Sequence, residues 1–120
     1  MQLKNKVAII TGAASGIGKQ IAIEYARQGA KVAIADLSLD AGNAVAEQIT
    51  TAGGSAIAVV MDVTNPDQVD AAVTQVLDTY HNLDIMLSNA GIQIISPLVD
   101  LKLEDWRKMM AIHLDGAFLT

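Results

Sequence analysis

Four short apolar runs alternate along this chain with longer segments whose apolar residues recur at helical spacing, and that alternation leaves few folds open. Val7 to Ile10 is a largely β-branched run between Lys6 and the Gly12 turn, which predicts a buried strand. Ile17, Ile21 and Tyr25, with Ala22 and Ala26, then repeat at helical spacing, and Gly29 supplies the stop. Lys31 to Ala35 predicts a second strand ending in Asp36. Ala41, Ala44, Val45, Gln48 and Ile49 predict a helix over 39–51, which Gly53-Gly54 breaks, and Ala56 to Met61 predicts a third strand. Asn65-Pro66-Asp67-Gln68 combines an N-cap residue, a proline at the first helical position, an acid near the positive helix end and a Gln three residues after the cap. Val69, Val73, Val76 and Tyr80 line one face of the helix that follows, and Ile85 to Leu87 predicts a fourth strand. From Leu103 to the end, Trp106, Met109, Met110, Leu114, Ala117 and Phe118 predict one helix with a broad apolar face.

Strands separated by helices pair in parallel through right-handed crossovers. The expected sheet order is 3-2-1-4, the first half of a doubly wound, Rossmann-type α/β fold, in a single domain over 1–120. Composition agrees: 52% of residues are hydrophobic but only 3% aromatic, so the core must be built from Ala, Val, Ile and Leu, which suits strands covered on both faces. The net charge of −5 argues against nucleic acid or an anionic membrane as partner and leaves a small molecule. With no cysteine, disulfides and thiolate metal sites are excluded. The apolar run after Lys6 is too short for a signal peptide or a membrane span, so a cytoplasmic protein is expected.

Thr11-Gly12-Ala13-Ala14-Ser15-Gly16-Ile17-Gly18 lies between the first strand and the first helix, where a phosphate-binding turn belongs. Gly12 would take a backbone conformation closed to other residues, Gly16 would let the main chain approach a pyrophosphate, and Gly18 would let the helix pack close. The helix N-terminus, from Ser15 and Ile17 onward, offers free N–H groups to phosphates. Asp36 ends the second strand eighteen residues after Gly18, where a carboxylate can accept both ribose hydroxyls of an adenosine. Ser15 and Leu37 flank it and no Arg or Lys stands by for a 2′-phosphate, so the expected cofactor is NAD and not NADP.

The glycine segment, Asp62-Val63 after the third strand and Asn89-Ala90-Gly91 after the fourth together resemble the short-chain dehydrogenases along the whole chain. The resemblance implies that Asp62 bonds the adenine amino group, that Val63 gives a backbone contact to the ring, and that Asn89, Ala90 and Gly91 stabilise the sheet beside the cofactor. It also implies an enzyme that interconverts a secondary alcohol and a ketone by hydride transfer. Within the family, Gly91-Ile92-Gln93 with Trp106 and Ala117-Phe118 is similar to bacterial D-3-hydroxybutyrate dehydrogenases, where a glutamine in the place of Gln93 helps bind the substrate carboxylate. Gln93 could equally be a solvated loop residue, and other alcohols, whether polyol, steroid or 3-oxoacyl, stay open.

The family's chemistry rests on a serine, a Tyr-x-x-x-Lys pair and a helix asparagine. Tyr25 and Tyr80 are followed four residues on by Gly29 and Asp84, so neither is that tyrosine. The expectation is that these 120 residues are the front half of the enzyme, able to hold a nucleotide but inactive alone. His113 stands at the family's asparagine and is the one catalytic candidate present, although a histidine in an apolar helix is also an ordinary packing residue. An unpaired fourth strand and an uncovered last helix would favour a homo-oligomer.

Overall fold

The computed structural model describes residues 1–120. Its core is a parallel four-stranded sheet of order β3-β2-β1-β4, with β1 Val7–Thr11, β2 Lys31–Asp36, β3 Ser55–Val60 and β4 Ile85–Leu87. In the ladder Val7 faces Lys31 and Thr11 faces Ala35, Lys31 faces Ser55, and Ala8 faces Ile85. Three crossover helices join the strands: α1 Gly16–Arg27, α2 Leu39–Thr51 and α3 Pro66–Tyr80.

Alternate residues of each strand point to opposite faces, and the two cores follow that alternation. Ala8, Ile10, Val32 and Ile34 pack with Ala22 and Ala26 of α1 and with Val45, Ala46 and Ile49 of α2. Val7, Ile9, Ala33 and Ala35 pack on the other side with Val69, Ala72 and Val76 of α3. Small residues facing the sheet let the helices lie close to it, which is how a nearly non-aromatic chain fills its interior. The helices change face because the chain returns from β3 past β2 and β1 to lay down β4. That makes the gap between β1 and β4 a topological switch point, where open α/β sheets bind ligands beyond the carboxyl ends of their strands.

The strand and helix expectations hold, with β3 displaced by one residue to Ser55–Val60 because Met61 is buried in the following loop and lies outside the ladder. The last helix departs from expectation. It is broken into α4 Leu103–Met110, one π-helical turn Ala111–Asp115, and α5 Gly116–Leu119. Only part of its apolar face is covered: Ile112 and Leu119 pack on the α3 side of the core, whereas Trp106, Leu114 and Phe118 are exposed. No helix is long and apolar enough to cross a membrane.

Candidate functional site

A cleft of about 400 Å³ opens at the carboxyl ends of the strands, a size suited to a small organic ligand. The turn after β1 forms its floor with Gly12, Ser15 and Ile17, and Asp36 with Leu37 forms one wall. Met61, Asp62 and Val63 enter after β3, and Asn89 to Ile92, with Ile112, form the wall beyond β4.

The floor is built by close approach. Gly12 has φ +65°, and a Cβ there would stand 2.9 Å from the Ala90 Cα. At Gly18, buried at the start of α1, a Cβ would meet the Asn89 side-chain nitrogen and the Gly12 carbonyl, both at 2.5 Å. Gly18 therefore seats the helix against the glycine turn and the β4 loop. Gly16, by contrast, has φ +58° and open space around it. Hydrogen bonds lock these parts together. The Thr11 hydroxyl accepts from Asn89 N–H at 2.9 Å and Ala90 N–H at 3.0 Å, and the Asn89 amide donates to the Thr11 carbonyl at 3.1 Å. On the other side of β1, Gly12 N–H donates to the Ala35 carbonyl at 2.8 Å.

Asp36 is half-buried, and its two oxygens accept from Ala14 N–H at 3.1 Å and Ser38 N–H at 3.2 Å. It thus straps the glycine turn to the end of β2 while each oxygen keeps a free lone pair. Asp62 Oδ1 accepts from both Thr64 N–H at 2.9 Å and the Thr64 hydroxyl at 2.7 Å, leaving Oδ2 without a protein partner. No lysine or arginine lines the cleft.

The helix start beside this cleft differs from its neighbours. In α2 the Ser38 hydroxyl caps Ala41 N–H and Asp40 sits in the first turn, and in α3 Asn65 caps Asp67 and Gln68 N–H with Asp67 in the first turn. The N-cap Ser15 of α1 makes no such bond, and the first turn holds no acid. The free N–H groups at this end carry the positive pole of the helix toward the cleft.

Of the residues singled out in the sequence, Gln93 is exposed and lies outside the cleft lining, and so does His113, whose ring reaches the backbone of Ile92. The Tyr80 hydroxyl bonds the Ser55 hydroxyl at 3.1 Å, at the far end of the sheet from the cleft. Leu37 and Ile92 entered the sequence reading only as neighbours of Asp36 and Gln93 and Met61 only as a strand end, while Ile112 was missed; all four are apolar residues that line the cleft. Thr11 was missed as well, and its signal was a hydroxyl at the end of an otherwise apolar strand. No group of three or more His, Asp or Glu side chains is placed to hold a metal ion.

Known proteins share this arrangement. A short-chain type dehydrogenase/reductase from Mycobacterium marinum superposes with a TM-score of 0.95 at 40% identity, over 99% of this chain and 48% of that one. Sorbitol dehydrogenase of Cereibacter sphaeroides is 40% identical over 97% of this chain and 44% of its own length. A 3-oxoacyl-[acyl-carrier-protein] reductase of Synechocystis sp. is 41% identical over 98% of this chain and 48% of its own. The chain spans about half the length of the curated relatives it matches. The short chain dehydrogenase family model matches residues 6–120, and with these relatives the chain belongs to the short-chain dehydrogenase family.

Proposed function

We propose that the cleft is the NAD site of an enzyme that interconverts a secondary alcohol and a ketone by hydride transfer. The observation that carries this reading is the start of α1, the one crossover helix left without a side-chain cap or a first-turn acid, and its open N–H groups suit a pyrophosphate. Gly12, Ser15, Gly16, Ile17 and Gly18 would hold the phosphates, Asp36 the adenosine ribose, and Asp62 and Val63 the adenine. Asn89, Ala90 and Gly91 would support the nicotinamide end. NAD supplies the hydride acceptor, and the protein supplies position and exclusion of water.

Asp36 supports NAD over NADP, because a 2′-phosphate beside it would meet a like charge with no lysine or arginine in the cleft lining to offset it. NAD should bind at least about tenfold more tightly than NADP, or about 1.4 kcal/mol, and Asp36→Ala should narrow that gap. Because Asp36 also straps Ala14, the variant should weaken both ligands somewhat, so the ratio is the quantity to read. Calorimetry giving equal affinities for the two nucleotides in the parent chain would overturn the assignment.

The substrate we propose is a small hydroxy acid, 3-hydroxybutyrate with acetoacetate as its ketone, on the strength of Gln93. An amide on the loop after β4 can donate to a carboxylate without adding a charge. In an enzyme that carries the Tyr-x-x-x-Lys pair, Gln93→Ala should raise KM for 3-hydroxybutyrate more than for an uncharged secondary alcohol, and equal effects would reject the role. The 120 residues by themselves should bind nucleotide without turnover, because no group in them is placed to take the alcohol proton. We place the enzyme in the cytoplasm.

A further inference from the structure

β3 is an outer strand of the sheet, and it carries none of the devices that usually protect such an edge. Its six residues, Ser-Ala-Ile-Ala-Val-Val, hold no charge and no proline, and they pair with β2 one to one, from Ser55 opposite Lys31 to Val60 opposite Asp36, without a bulge. Met61 N–H donates to the Asp36 carbonyl at 3.0 Å, which fixes the phase of this parallel ladder. Ile57, Val59 and Met61 therefore bond toward β2, and the N–H and C=O groups of Ala56, Ala58 and Val60 point away from the sheet. In the doubly wound order 3-2-1-4-5-6 further strands join beside β4, so the β3 edge stays open.

A groove of about 410 Å³ lies beside the strand, lined by Ala56 and Ala58, by Asn43, Glu47 and Thr50 of α2 and by Gln75 of α3. Its surroundings are acidic. Asp40 lies three residues before Asn43 and Asp78 three after Gln75, so each shares a flank of its helix with a lining residue, and both are exposed, as is Glu47. No lysine or arginine occurs from Val32 to Leu101, although nine acids do, so nothing in these helices offsets the charge. Lys31, opposite Ser55, stands over the Tyr80 ring at 5.7 Å. Two copies paired through β3 would bring the acids together within the roughly 8–10 Å over which charge is felt at physiological salt, which makes a second copy the wrong occupant. A strand bearing lysine or arginine meets the opposite sign. We propose that the β3 edge is a docking site for an extended, basic segment of another protein, which pairs with Ala56, Ala58 and Val60 as a fifth strand and sets its cationic side chains against Asp40, Glu47 or Asp78. Backbone pairing supplies the affinity and charge selects the partner. The groove shares no residue with the lining of the cleft, so the proposal stands apart from the nucleotide reading.

Two fluorescently labelled peptides, one alternating lysine with threonine and the other glutamate with threonine, test this by anisotropy on the 120-residue chain, beside hydrogen exchange resolved to single amides. The lysine peptide should bind saturably, at least about tenfold more tightly than the glutamate peptide, and should slow exchange at Ala56, Ala58 and Val60. Ala58→Pro keeps every charge and removes an N–H that the ladder does not use, so the sheet should persist while the lysine peptide weakens about tenfold or more. Glu47→Gln with Asp78→Asn should weaken it about fivefold, the worth of two exposed ion pairs. Absence of saturable binding, equal binding of the two peptides, or undiminished binding to Ala58→Pro would each overturn the proposal. Slow exchange at Ala56, Ala58 and Val60 in the chain without peptide would show the edge already taken by a second copy, and would overturn it too. Should Ala58→Pro not fold, a lysine peptide methylated on its backbone nitrogens decides the point on the parent chain, because it keeps the charge and cannot pair. That peptide should not bind, and binding as tight as that of the unmethylated one would reduce the edge to a patch of charge.

Discussion

Thr11 carries the only polar side chain in the buried core, and its hydroxyl is fully bonded. It donates toward the Leu87 carbonyl at 3.4 Å and accepts from two successive N–H groups of the β4 loop. A valine there would match its shape but leave the Asn89 and Ala90 N–H groups facing a methyl. An unmet buried donor costs about 1–3 kcal/mol, so Thr11→Val should lower the unfolding free energy by about 2–3 kcal/mol in urea titration. A loss below about 0.5 kcal/mol would mean that water takes the place of the hydroxyl. The same residue illustrates what a sequence conceals. Gly12 and Asp36 were legible because strand ends in an alternating chain are where ligands sit, and their types suit such a ligand, whereas Asn89 entered through the family resemblance. Thr11 looked like the first residue of the glycine-rich turn and nothing more, since its task depends on a loop 78 residues away.

At the scale of elements, β4 is the most weakly held strand, three residues paired only to β1. Asp84 staples its entry. The carboxylate accepts from Val7 N–H at 2.9 Å and from the Asn82 amide at 3.0 Å, while Asp84 N–H donates to the Val7 carbonyl at 2.9 Å. The bond from Val7 N–H is the main reason the carboxyl is held below its ordinary value of 3.8; desolvation opposes it, and Asn82 and the Lys6 charge assist. A carboxyl with a lowered pKa stabilises the folded state above its ordinary pKa, and that contribution fades as pH falls through the lowered one. Asp84→Asn should therefore be less stable than the parent at neutral pH, and the gap should close only below 3.8. Urea midpoints measured from pH 7 downward would show it, and a gap unchanged throughout would leave the charge without a role. The strands and crossover helices could be read from sequence because burial on both faces imposes a strong apolar pattern. The π turn could not. Ile112 in the core, His113 at Ile92 and Gly116 against Val63 all meet on that one stretch, and each is a tertiary contact that no local spacing encodes.

For the whole molecule, the radius of gyration is 15.0 Å, against about 13–14 Å for a compact chain of this length, and the long axis of 49 Å is nearly twice the other two at 26 and 25 Å. The excess belongs with the last third of the chain, where α4 packs chiefly on the π turn that follows it. Large apolar side chains there stand in water: Ile95, Leu98, Val99, Leu103, Trp106, Leu114 and Phe118, with Phe118 88% exposed. The outer edge of β4 adds N–H and C=O groups that no strand pairs. Open edges recruit strands, and apolar patches of this extent recruit one another. The acidic surface opposes association only weakly, because charge repulsion is screened within about 8–10 Å at physiological salt. The 120-residue chain should therefore self-associate at micromolar concentration, giving species that are multiples of its 12.6 kDa mass. Leu114→Asp with Phe118→Asp should move that equilibrium toward the monomer without loss of the sheet, since both side chains are already exposed and support no core contact. Light scattering across a hundredfold dilution, read beside far-ultraviolet circular dichroism, separates the outcomes. A parent that stays monomeric over the whole range would show that the exposed helix face and the β4 edge are tolerated in water as they stand.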